Sequence, residues 1–153
     1  MDFHTKIVEV TKEIFETMIM MDVTPGQPLA EHVSKFNYSL SAMVGFAGLK
    51  QGNLTIHAPE EVAIGLTQSF LGADIEEINE DVQDAMGELA NMIAGSLKPT
   101  ISNEGKTVEL SLPSVVYGKE YTMTAVAKSD WIIVPFTVSY GQFLVSLEFK
   151  NQP

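Results

Sequence analysis

Seven apolar residues, Ile75, Ile78, Val82, Met86, Leu89, Ile93 and Leu97, follow one another at intervals of three or four. That spacing predicts a single helix over roughly 75–97, because residues three and four apart share one helical face. Lys98-Pro99 is expected to end it, since the residue before a proline is pushed out of the helical region. A helix this long, apolar along one stripe, needs a broad surface to cover that stripe. The chain supplies one in period-two segments. Tyr38, Leu40, Ala42, Val44 and Phe46 alternate with Ser39, Ser41, Met43 and Gly45, and a turn over 48–53 leads to a second strand holding Leu54, Ile56 and Ala58.

The remaining elements follow from the same two periods. Ile7, Val10, Ile14 and Met18, widened by Val8, Phe15 and Ile19, predict a first helix over Lys6–Met20, and Pro25, Gly26 and Pro28 open a loop after it. Pro59 suits the first turn of a helix running to about Leu71, which Gly72 breaks. Asp74 with Glu77 reads as a capping box at the start of the long helix. The last third is strand-like, over Thr107–Leu112, Tyr121–Ala127, Trp131–Tyr140 and Phe143–Phe149, the last two joined by a short turn. Helix, two strands, two helices and three or four strands make an α+β fold. The expectation is a single domain over 1–153, mainly antiparallel sheet with long helices packed on it and the long helix showing one polar face.

Composition narrows the function. Twenty acidic residues oppose nine basic ones, all lysine, for a net charge of −11. Nucleic acid and acidic membrane surfaces are therefore poor partners, because both are bound by clustered positive charge. Cysteine is absent, which excludes disulfides, thiolate metal sites and a thiol nucleophile. The first residues lack the basic segment and apolar run of a signal peptide, and no apolar stretch approaches the roughly 20 residues that span a bilayer. A cytoplasmic location is expected. His4, His32 and His57 stand apart without metal-ligand spacing, and the acids over 74–81 lack the alternation of a calcium loop, so no metal site is expected.

Opposite the apolar stripe of the long helix stand Asp84, Glu88 and Asn91, at i, i+4 and i+7, within an arc of about 60°. Any amphipathic helix carries a polar stripe. This one has no lysine to pair with its carboxylates before Lys98, so it is not a routine ladder of i,i+4 ion pairs. Gly87 and Gly95 lie beside it, although glycine inside a helix costs about 1 kcal/mol relative to alanine. Two readings of these glycines stand: room for another protein's backbone, or room for a neighbouring element of the same chain.

The segment Asp84-Ala-Met-Gly-Glu88-Leu-Ala-Asn91-Met-Ile-Ala-Gly95 resembles the signature helix of the chemotaxis phosphatases CheC, CheX and FliY. The strand pair turned at 48–52 and the helix opened by Pro59-Glu-Glu-Val-Ala resemble that family's middle section. Family members carry one or two copies of the motif. In the first helix Lys12-x3-Glu16-x2-Ile19 has Ile where Asn is needed, and Glu9-x3-Glu13-x2-Glu16 also lacks the Asn, so the chain is similar to the single-motif CheX branch. The resemblance implies a protein phosphatase acting on the aspartyl phosphate of a CheY-like response-regulator receiver. It also implies a homodimer whose sheets join across the interface. Glu88 and Asn91 would be the catalytic pair, with Asp84, Gly87 and Gly95 in the binding face. The protein would need no cofactor of its own, the receiver bringing Mg2+ and a lysine. The main alternative is an adaptor or switch-type protein of the same fold that docks a receiver without hydrolysing it. A small-molecule enzyme would instead need polar residues converging inside the fold.

Overall fold

The computed structural model describes residues 2–48, 50–102, 108–124 and 129–151. Helix α1 spans Phe3–Ile14 and continues as a π-helical turn over Phe15–Ile19 that stops at Met20, whose φ is +61°. Strand β1 is the short Thr24–Pro25, and β2 (Lys35–Ala47) and β3 (Lys50–Pro59) form a long hairpin. Then come α2 (Glu60–Leu71), α3 (Glu80–Ile101), β4 (Glu109–Leu110), β5 (Ser114–Thr122), β6 (Asp130–Val138) and β7 (Gly141–Asn151). Every pairing in the sheet is antiparallel, in the order β1-β6-β7-β3-β2, with β4 and β5 both alongside the far edge of β2. The α+β expectation holds.

Period two decides which side of the sheet takes the helices. Leu40, Ala42, Val44 and Phe46 of β2 face the same way as Leu54 and Ile56 of β3 and Val145 and Leu147 of β7, and all are buried. Onto this face pack Ile7 and Phe15 from the first helix, Val62 and Leu66 of α2, and Met86, Leu89, Ile93 and Leu97 of α3. Burying each such side chain contributes about 1.5–3 kcal/mol before conformational entropy is charged against it.

The opposite face is polar, with Ser41, Thr55, His57, Ser146 and Glu148 buried on it. The segment between β1 and β2 crosses this face. Leu29 donates its N–H to the Ile133 carbonyl, Ser34 accepts from the Met123 N–H, and His32 meets Glu148 between them.

Several element boundaries differ from the sequence expectation. The long helix starts at Glu80, five residues late, because Asn79 caps it by accepting the Val82 N–H at 3.0 Å. Asp74 and Glu77 therefore lie outside the helix, and the Ile75 N–H is taken by the Gln68 side chain instead. Nor does Lys98-Pro99 stop it. Pro99 sits in the last turn, where it removes one hydrogen bond, and burial of Ile101 (1% exposed) offsets that loss.

The first helix starts three residues early, at Phe3, since Asp2 accepts the Thr5 N–H. The strand expected over 107–112 shortens to Glu109–Leu110, and the one expected over 121–127 gives way to β5, ending at Thr122. Leu49, Thr107 and the stretch 125–127 of those expectations lie outside the described residues.

Candidate functional site

Helix α3 lies on the helix-bearing face of the sheet with its apolar stripe inward. Val82, Met86, Leu89, Ala90, Ile93, Ala94 and Leu97 are all buried. That packing fixes the rotation of the helix and therefore what it presents outward. Asp84 and Glu88 are exposed and Asn91 is partly buried. The structure thus brings the three residues onto one accessible stripe. At about 1.5 Å rise per residue, Glu88 and Asn91 are about 4.5 Å apart along the axis, and Asp84 lies about 6 Å before Glu88.

Among the described residues none of these three side chains makes a hydrogen bond or an ion pair. The stripe's carboxylates and amide are unengaged, with donor and acceptor capacity left for something outside the chain.

The glycines beside the stripe part company. Gly87 is buried, and a Cβ built on it would lie 3.3 Å from Pro113 Cβ and 3.6 Å from Val115 Cγ2. Its space is taken by this chain's own β5 and the residue leading into it. Gly95 is exposed, and a Cβ there would meet nothing within 4 Å. Pro99 lacks an N–H, so the Gly95 carbonyl also loses its usual helical donor. Turning about 100° per residue from Glu88 toward Gly87 passes Asn91 on the way. Asn91 therefore stands between the open stripe and the seam where α3 meets β5.

Sequence reasoning did not foresee that seam. Pro113 and Val115 lie in a stretch whose strand was expected further along, and only contact across the sheet shows that β5 walls one side of the stripe.

A second polar cluster lies on the other face of the sheet. His57 Nδ1 and Ser41 Oγ are 2.6 Å apart, Ser41 Oγ and Tyr121 OH 2.8 Å, and the His57 ring stacks on Phe36 at 4.1 Å. His32 Nε2 lies 2.6 Å from Glu148 Oε1. Histidines far apart in sequence thus share one small pocket with Thr55, Ser146 and Glu148. Burial, helped by the charge of His32, lowers the His57 pKa to about 4 and keeps its ring neutral. Ser41 is 0% exposed, so this serine–histidine pair cannot reach a substrate. The cluster satisfies buried polar groups, as buried groups require. No set of three or more His, Asp or Glu side chains among the described residues is placed to hold a metal.

Residues 40–137 match the family described as chemotaxis phosphatase CheX. The chain is 26% identical over 128 residues to the CheY-P phosphatase CheX of Thermotoga maritima, covering 83% of this chain and 80% of that protein. A CheC-like superfamily protein from Shewanella sp. PV-4 superimposes with a TM-score of 0.86 at 28% identity, over 99% of this chain and 100% of that one. The chemotaxis protein CheX from Desulfovibrio desulfuricans superimposes with a TM-score of 0.82 at 34% identity, over 97% of each chain.

Proposed function

The chain belongs to the chemotaxis phosphatase CheX family, and from that premise we propose that it accelerates hydrolysis of the aspartyl phosphate on a CheY-like receiver protein. The observation that carries this reading is the unengaged, outward-facing stripe of Glu88 and Asn91 on a helix whose rotation is fixed by its buried face. An outward-facing stripe whose polar groups have no partner among the described residues of the chain suits a substrate that is itself a folded protein.

In the reaction, water attacks phosphorus, the P–O bond to the aspartyl oxygen breaks, and inorganic phosphate leaves the regenerated carboxylate. Phosphoryl transfer asks little covalent work of a protein, so positioning and electrostatics dominate. Asn91 orients the water. Its carboxamide oxygen accepts a hydrogen from the water while its NH2 donates elsewhere, and the group stays neutral beside the phosphoryl oxygens, which a carboxylate would repel. Glu88, one turn earlier, pairs with the receiver's lysine and holds the two proteins in register, so that the attacking water stands in line. Asp84 and Gly95 belong to the docking face; Gly87 serves by letting α3 close on β5. Any Mg2+ belongs to the receiver, and this chain contributes no cofactor.

No arginine exists in the chain to stabilise the transition state as a finger would. Catalysis therefore rests on placing water rather than on supplying positive charge. The assignment as a cytoplasmic homodimer follows the family, and β5 offers a place for the sheets to join. It is nine residues long, and among the described residues it pairs only with β2, leaving its other edge open.

The test is the lifetime of the phosphate on a CheY-type receiver with and without this protein, alongside Glu88→Lys. Shortening of the lifetime by the wild type, with weaker binding and slower decay for Glu88→Lys, is the expected result. Binding without any shortening would make the protein an adaptor. An unchanged Glu88→Lys would remove Glu88 from the site.

A further inference from the structure

A stable protein complex buries about 800 Å² on each partner, and three side chains on one helical stripe fall short of that. The interface must spread beyond α3, and the structure offers two directions. Toward α1 the surface carries Glu9, Lys12, Glu13 and Glu16, a charged solvent face with three acids that would meet the acidic phosphorylation pocket of a receiver unfavourably. Toward β5 the surface is continuous, because Gly87 lets Pro113 and Val115 close directly against α3.

Tyr117 stands opposite Leu40 and Val115 opposite Ala42, both buried on the helix-bearing face of β2, so Tyr117 shares the face of β5 that Val115 turns to α3. Tyr117 is 50% exposed, and it borders a shallow cleft of about 210 Å³ with Tyr38, Ser39, Glu60, Gly118 and Lys119. Tyr38, 59% exposed, has a φ of +46° within β2, a conformation that costs a bulky residue energy and that tends to persist where it presents a side chain for use. Large, rigid aromatic side chains of this kind anchor protein interfaces.

From this juxtaposition we infer that the receiver-docking surface continues from α3 onto β5, with Tyr117 and Tyr38 as apolar anchors beside the phosphoaspartate pocket. The inference rests on the phosphatase reading above. It assigns Tyr117 to binding and leaves the chemistry to Asn91. Sheet joining at the β5 edge would use backbone groups in the plane of the sheet, whereas the Tyr117 ring stands on the helix side, so the two can coexist.

The experiment follows decay of a phosphorylated CheY-type receiver at increasing receiver concentration for wild type, Tyr117→Thr, Tyr117→Phe and Asn91→Ala. Threonine keeps β-propensity on an edge strand, and matching thermal melts would show that the fold is kept. Tyr117→Thr should raise the half-saturating receiver concentration about tenfold, as loss of an interface anchor does, with the maximal rate unchanged. Tyr117→Phe should restore it, since the ring and not the hydroxyl is the anchor. If Asn91→Ala decays the phosphate as fast as wild type, the phosphatase reading itself fails. If Asn91→Ala is inactive but Tyr117→Thr saturates at the wild-type concentration, the docking inference alone is overturned. A Tyr117→Thr variant that changes only self-association in sedimentation overturns it too, and assigns the ring to a second copy of the chain.

Discussion

Gly87 and Pro113 lie so close that a methyl group on the glycine would stand 3.3 Å from the proline Cβ. That contact seats α3 against the start of β5 and fixes one wall of the stripe that carries Glu88 and Asn91. An alanine asks the proline to give by a few tenths of an ångström; a valine asks much more. Gly87→Val should destabilise the fold by about 1–3 kcal/mol, the usual range for overpacking, and should lower phosphatase activity by shifting the helix. Denaturant melts and phosphate-decay rates read both effects. Wild-type values in both would show that the seam is slack.

Gly95 offers the opposite case, because a side chain there meets open space. Gly95→Ala should stabilise the protein by about 1 kcal/mol through helix propensity alone. If a receiver backbone comes close at this point, the same variant should bind the receiver more weakly. Stabilisation with unchanged receiver affinity would mean that Gly95 is not part of the docking face.

His57 makes stability depend on pH. Its folded pKa is held at about 4, chiefly by burial, against an ordinary 6.5. Between those values the unfolded chain binds a proton that the folded chain refuses. Stability from this group is therefore complete above pH 6.5 and is lost as pH falls toward 4, by about 3 kcal/mol at most. Chemical denaturation from pH 7 to pH 4 should show that decline, and His57→Gln should flatten it. A His57 ring that titrates near 6.5 by NMR would contradict this.

Much of the fold was legible because the apolar periods are clean. Leu40, Ala42, Val44 and Phe46 form one sheet face, and Met86, Leu89, Ile93 and Leu97 one helix face, as their spacing requires. The misplaced boundaries share a cause. Asn79 rather than Asp74 caps α3, and the helix passes Pro99, because burial of Ile101 and the cap geometry are settled in three dimensions and outweigh local signals. The stripe of Asp84, Glu88 and Asn91 was readable from helical arithmetic. That Gly87 serves the chain's own β5 while Gly95 stays open was not, since both are glycines beside the same stripe and only the path of β5 separates them. The convergence of His32 and His57 on one pocket also depends on strand register and on the crossing segment, which no local pattern records.

The central claim is that Asn91 places the attacking water. The direct measurement is the decay rate of a phosphorylated CheY-type receiver at saturating concentrations of Asn91→Ala, with receiver binding measured on the same samples. Binding within twofold of wild type, together with a loss of acceleration of about 10²-fold or more, is the predicted result, by analogy with removal of one positioned polar group from an active site. Near-normal acceleration by Asn91→Ala would contradict the account.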